Sequence, residues 1–317
     1  MTLLVQCMSH TPLMDLNPPR PEVDAEARAA VAAARARVES YDPDLVLLFA
    51  PDHFNGFFHD IMPPFCIGAA AEAIGDYGTA AGPLAVDKDA ALAISGELLK
   101  RDVDVSVSYR MQVDHGFSQP LDMLTGSLTR YPVVPIFINA VGVPRPTSRR
   151  TRLFGEAIGH ILRERMPERR VLAIASGGLS HDPPVPSIVT APPEIAERLI
   201  NGRNPPPEVR KLREDRTVQA ARDFADGSPT GGGALHPLDP EWDHMLIDIF
   251  SSGRLSQVDS FEDEWITAKG GRGGHEVRTW IAALACLAAY APYNAELDYY
   301  RAVPEWIAGF SLMHGQA

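Results

Sequence analysis

The chain has 317 residues, 45% apolar, 22% charged and 8% aromatic, which excludes disordered, collagen-like and low-complexity classes. Forty-one acidic residues against 29 basic give a net charge of −12, and the densest basic run, Arg149-Arg150-Thr151-Arg152, is one short junction, so nucleic acid is not an expected partner. The longest apolar stretch, the twelve residues from Trp280 to Ala291, is too short for a bilayer, and no basic segment precedes the first apolar residues, so neither a membrane span nor a signal peptide is expected.

Residues 3–8 predict a strand and residues 21–41 an Ala/Arg-rich amphipathic helix. The wholly apolar run 45–49 predicts a strand buried on both faces. Residues 60–83, with Met62-Pro63-Pro64-Phe65 and several glycines, read as a long loop. A helix is expected over 84–101. Val103, Val105, Val107 and Tyr109 then alternate with polar residues, the pattern of a half-buried strand. Strands over 133–140 and 171–175 flank a helix over 148–166. Beyond them the chain reads as helical, over 207–226, 240–251, 260–268 and 276–290, with a flexible Gly/Ser/Pro-rich joint at 227–233. Alternating strands and helices predict an α/β fold, a single three-layer domain over residues 1–317. Cys7, Cys66 and Cys286 are odd in number, far apart and without a CxxC, which predicts reduced buried thiols and a cytoplasmic protein.

The histidines carry the functional signal. His10, in Met8-Ser9-His10-Thr11-Pro12, follows the first predicted strand, and His53, in Pro51-Asp52-His53-Phe54-Asn55-Gly56, follows the second. His115 follows the alternating segment, and His181 follows the 171–175 strand in Gly177-Gly178-Leu179-Ser180-His181. Ligands of open α/β sheets bind at the carboxyl ends of the strands, so four histidines issuing there could converge on one pocket. His59, His160, His236, His244 and His314 lack this placement and read as ordinary surface or core histidines. Two histidines and a carboxylate leave open positions on a ferrous ion, and two more histidines could serve as base and acid near neutral pH. Glu276, after Gly270-Gly271-Arg272-Gly273-Gly274-His275, is a candidate carboxylate, although the sequence alone favours a helix N-terminal acid there.

Several stretches together resemble the class III extradiol ring-cleavage dioxygenases. They are Cys7-Met8-Ser9-His10-Thr11-Pro12-Leu13, Phe49-Ala50-Pro51-Asp52-His53-Phe54-Asn55-Gly56 and Met111-Gln112-Val113-Asp114-His115-Gly116-Phe117. Ser176-Gly177-Gly178-Leu179-Ser180-His181, Leu235-His236-Pro237-Leu238 and Pro304-Glu305-Trp306-Ile307-Ala308-Gly309-Phe310 extend the resemblance nearly end to end; Gly231-Gly232-Gly233 departs from it. The resemblance implies an α/β/α fold with a central mixed sheet and one Fe(II) held by His10, His53 and Glu276. It further implies His181 as proton acceptor and His115 as proton donor. The substrates implied are O2 and a catechol, 3-(2,3-dihydroxyphenyl)propanoate or its cinnamic analogue, and the assembly implied is a homo-oligomer. Two rivals remain at this level: a zinc-dependent hydrolase using the same His/His/Glu donors, and a non-catalytic binding protein on the same fold.

Overall fold

The structure is a computed structural model that describes residues 3–228 and 235–317. In chain order its first half contains β1 (Leu3–Met8), α1 (Pro21–Tyr41), β2 (Leu45–Ala50), β3 (Phe65–Gly68), β4 (Ala71–Ile74), β5 (Ala81–Pro83), α2 (Lys88–Leu99), β6 (Ser106–Ser108), β7 (Met111–Val113), α3 (His115–Thr125) and β8 (Val133–Ile138). The second half contains α4 (Ser148–Arg165), β9 (Val171–Ser176), α5 (Pro193–Asn201), α6 (Pro207–Ala225), α7 (Pro240–Ser251), α8 (Asp263–Gly270), α9 (Val277–Tyr290), β10 (Asn294–Val303) and β11 (Ala308–Gln316).

Every residue of β1, β2, β8 and β9 is buried, as continuous apolar runs require of strands covered on both faces. They form the parallel centre of an eight-stranded mixed sheet ordered β10-β11-β1-β9-β2-β8-β3-β6, with β11 antiparallel to β1 and β3 antiparallel to β8. Successive side chains alternate between faces. Leu3, Val5, Leu45, Leu47 and Phe49 pack with α2, α4, α7 and α9. Leu4, Val46, Leu48, Leu172 and Ile174 pack with α1 and α3 on the other side. The fold is therefore the expected α/β type, a mixed sheet between helical layers. No helix among the described residues is long and apolar enough to cross a membrane.

Several expectations need correction. Residues 60–83 are not one loop: β3 joins the main sheet, and β4 and β5 form a small sheet with β7. The helix expected from residue 84 starts at Lys88, because the Asp87 carboxylate caps it by accepting the Ala90 N–H at 2.9 Å. The alternating segment supplies only the three-residue edge strand β6, with Val107 and Tyr109 exposed. The C-terminal part is not all helical, since β10 and β11 form a long antiparallel pair. Helices α3 and α5 were not anticipated, and α8 and α9 begin later than residues 260 and 276. Residues 229–234 of the expected flexible joint lie outside the described residues.

α4 and α9 touch backbone to backbone. A Cβ on Gly155 would stand 2.0 Å from the Ala282 carbonyl oxygen, and one on Gly159 2.2 Å from that of Cys286. Gly155→Ala is expected to force the helices apart and cost about 1–3 kcal/mol of stability, the range for overpacking a tight core. A urea unfolding midpoint equal to wild type would contradict this seating.

Candidate active site

β1, β9 and β2 are adjacent and parallel, so their carboxyl ends open at one edge. The chain leaving each carries His10, His181 and His53. His115 arrives by another route than expected: it follows β7 of the small sheet and opens α3. Glu276 closes a short 3-10 turn leading into α9 and is 1% exposed. All five side chains line one chamber of about 100 Å³, walled also by Tyr77, Thr217 and the Trp306-Ile307-Ala308 segment. None of His59, His160, His236, His244 and His314 lines it.

The hydrogen bonds fix which ring nitrogens carry protons. Pro120 has no N–H, so the Gly116 carbonyl lacks its usual helical partner and accepts the Ser176 hydroxyl instead. With that proton committed, the Ser176 oxygen can only accept from His10 Nδ1, at 3.0 Å. His10 Nε2 is thus left with a lone pair, 3.7 Å from Glu276 Oε2. Burial, and then the neighbouring imidazoles, lower the His10 pKa to about 3, so the ring is neutral.

Asp114 orients His53. One of its oxygens accepts the Gly116 N–H and caps α3; the other accepts the His53 N–H at 2.8 Å and its Nδ1–H at 3.0 Å. His53 Nε2 then faces Glu276 Oε1 at 3.0 Å. Burial works against a charged His53, but Asp114 and Glu276 outweigh it and raise its pKa.

The two remaining histidines differ in what stands behind them. His181 Nδ1 donates to the Leu179 carbonyl at 2.9 Å, and its Nε2 lies 3.1 Å from Glu276 Oε1. His115 Nδ1 donates to the buried Asp76 carboxylate at 2.5 Å, and Asp76 also accepts the His115 N–H at 2.9 Å. Burial disfavours charge on His115, yet Asp76 and Asp114 raise its pKa above the ordinary value. Its ring stacks on His53 with centroids 4.5 Å apart.

This donor set fits a metal ion. Nitrogens of His10, His53 and His115 lie within 4.8 Å of one another. Glu276 Oε2 is buried without a hydrogen-bond partner among the described residues, as befits a carboxylate oxygen kept for a ligand. Burial opposes a charged Glu276, but His181 and His10 hold its pKa well below the carboxylate range. Gly177, at φ +116°, brings the chain against this side chain, where a Cβ would come within 2.9 Å of the Glu276 Cβ. The adjoining His275 is spent elsewhere, on Thr267 and Arg278. Asp76, Asp114 and Ser176 are the supporting residues that sequence reasoning did not assign a role.

Residues 4–311 match the family model described as the catalytic LigB subunit of aromatic ring-opening dioxygenase. A protein of Cupriavidus pinatubonensis named 2,3-dihydroxyphenylpropionate/2,3-dihydroxicinnamic acid 1,2-dioxygenase is 54% identical, across 100% of this chain and 99% of its own. One of the same name from Paraburkholderia xenovorans is 56% identical, across 100% and 98%. A solved structure of an uncharacterized Escherichia coli K12 protein shares the fold, with a TM-score of 0.54 at 12% identity over 99% of this chain and 98% of that one. The chain belongs to the family of catalytic subunits of aromatic ring-opening dioxygenases.

Proposed function

We propose that the protein opens the ring of 3-(2,3-dihydroxyphenyl)propanoate, and of 2,3-dihydroxycinnamate, beside the diol, placing both atoms of O2 in the product. The products are 2-hydroxy-6-oxonona-2,4-dienedioate and its triene homologue. The observation that carries the reading is one chamber lined by two metal-competent imidazoles, a carboxylate with a free oxygen, and two further histidines, one backed by a backbone carbonyl and the other by a carboxylate. The names of the relatives above supply the substrate.

His10, His53 and Glu276 would hold Fe(II), which when bound brings diol and O2 together and makes the diol proton labile. Glu276 is a better third ligand than His115, because it brings negative charge and an unpartnered oxygen, whereas His115 is stacked on His53 and tied to Asp76. His181 has its Nδ1–H fixed on a carbonyl, so its Nε2 lone pair is the acceptor for the substrate's hydroxyl proton. His115, held protonated by Asp76, gives a proton to oxygen as the ring opens. Ser176 and Asp114 keep the two imidazole ligands in the tautomer with Nε2 free.

The buried thiols of Cys7, Cys66 and Cys286 support a reducing, cytoplasmic setting, and the family resemblance supports a homo-oligomer. The zinc hydrolase reading has no observation in its favour. Aerobic incubation of Fe(II)-loaded protein with 2,3-dihydroxyphenylpropionate is expected to consume one O2 per substrate and to yield a yellow ring-fission product. Absence of oxygen uptake, with the metal bound, would refute the proposed reaction.

A further inference from the structure

The chamber continues, past His53, Tyr77, His115 and Thr217, into a larger cavity of about 610 Å³ that these residues also line. Its apolar walls include Phe54, Val185 and Leu199, while α5 and α6 add Arg198, Arg210, Arg213 and Arg216. Four arginines on one wall are unexpected in a protein of net charge −12. On α6 they recur at i, i+3 and i+6, which turns them to one side of the helix.

Most of this charge has no paired counter-charge among the described residues. Arg210 donates Nη1 to the Ile74 carbonyl at 3.2 Å. Arg198, Arg213 and Arg216 have no ion pair among the described residues, although Glu214 and Asp223 line the same cavity. Those two acids are engaged otherwise: Glu214 accepts the Tyr77 N–H at 2.9 Å, and Asp223 accepts the Gln219 amide at 2.8 Å. The Nε atoms of Arg210 and Arg213 are buried and without a hydrogen-bond partner among the described residues. Burial lowers the pKa of Arg198 and Arg213, and the neighbouring arginines lower it further. Arg198, Arg210 and Arg213 are half-buried and Arg216 is exposed; clustered guanidinium groups partly withdrawn from water cost free energy that a bound anion offsets.

We propose that Arg213 and Arg198, flanked by Arg210 and Arg216, bind the side-chain carboxylate of the substrate and select carboxylate-bearing catechols over neutral ones. The inference rests on the reaction proposed above. A catechol whose diol faces Glu276 carries its three-carbon side chain on the neighbouring ring carbon. The opening beside Tyr77 and Thr217 is the exit for that chain. Guanidinium suits the task, because its planar fork meets a carboxylate with two parallel N–H bonds. Tyr77, tied to α6 through its hydroxyl on Thr217 at 3.1 Å, marks the division between the diol end and the carboxylate end.

Two measurements test this on the full-length protein. In the first, Fe(II)-loaded wild type, Arg213→Gln, Arg198→Gln and Arg213→Lys are compared on 2,3-dihydroxyphenylpropionate and on neutral 3-propylcatechol. Wild type is expected to favour the acid through KM, and each Gln variant to narrow that preference about 10- to 100-fold, the scale of one charge-assisted hydrogen bond. Arg213→Lys should recover part of it. In the second, calorimetry follows 3-phenylpropanoate, which has the carboxylate but no diol, binding to the metal-free protein. Its affinity should fall in the Gln variants and at raised salt. An unchanged preference together with unchanged 3-phenylpropanoate affinity in both Gln variants would overturn the inference. If wild type opens neither catechol while 3-phenylpropanoate binding still depends on the arginines, the proposed reaction falls and the carboxylate site stands.

Discussion

Replacing Glu276 by alanine is expected to abolish stoichiometric Fe(II) binding and with it all turnover, while the circular dichroism spectrum stays that of wild type. The expectation follows from Oε2, a buried carboxylate oxygen with no hydrogen-bond partner among the described residues, 3.7 Å from His10 Nε2, while His53 Nε2 stands 3.0 Å from the other oxygen, Oε1. His10→Ala and His53→Ala should behave alike. Loss of a partner that merely orients a ligand typically costs about 10- to 100-fold in metal affinity, and loss of the ligand itself should exceed that. His115→Ala is the informative control. It belongs to the nitrogen cluster around His10 and His53, so geometry alone would admit it as a ligand. It should retain full metal occupancy. Iron bound normally by Glu276→Ala, or lost from His115→Ala, would reassign the third ligand.

His181→Ala and His115→Ala are expected to lose about 100- to 10,000-fold in rate, the usual scale for one positioned proton-transfer group, but at different stages. A base is needed when the diol binds, and an acid only as the ring opens. His181→Ala should therefore impair deprotonation of the catechol under anaerobic conditions, read by ultraviolet difference spectroscopy. His115→Ala should bind and deprotonate the catechol nearly as wild type does and stall afterwards. The reverse pattern would exchange the two roles. Asp76→Asn provides a third reading. Asp76 helps to raise the His115 pKa, so its removal lowers that pKa and empties the donor form at lower pH. The alkaline limb of kcat should move to lower pH in Asp76→Asn. An unmoved limb would assign Asp76 a purely structural role.

The central strands were legible because a strand buried on both faces can be written only as an unbroken apolar run, as in Leu45–Ala50. β10 was not legible for the converse reason. Most of its residues are exposed or half-buried, and Glu296, Asp298 and Arg301 give it the composition of a solvated segment. Helix α3 was hidden by Gly116 and by Pro120, whose missing N–H turned out to free a carbonyl for Ser176. Of the site, the histidines beyond the carboxyl ends of β1, β2 and β9 could be found by position. Their supports could not be, since Asp76 and Asp114 look like any loop aspartates until the fold brings a ring nitrogen to each. The arginines of α5 and α6 had the spacing of an ordinary solvent-facing helix.

Glu276 stands at the head of α9, which is buried around nearly its whole circumference, so the carboxylate rides on the end of a stiff rod. The lateral position of that rod is gauged by Gly155 and Gly159, which let α4 rest directly on the Ala282 and Cys286 carbonyls. Ala282 lies six residues beyond Glu276, roughly 9 Å along the helix. A methyl group inserted at this bearing would tilt the rod and carry its tip out of alignment, and a displacement of about 1 Å at a reacting centre can cost on the order of 100-fold in rate. The tolerance of the chemistry is thus machined partly into α4. In Gly155→Ala, kcat should fall further than the loss of folded protein explains, although residue 155 contacts no substrate; a kcat per folded molecule equal to wild type would show that the rod does not shift.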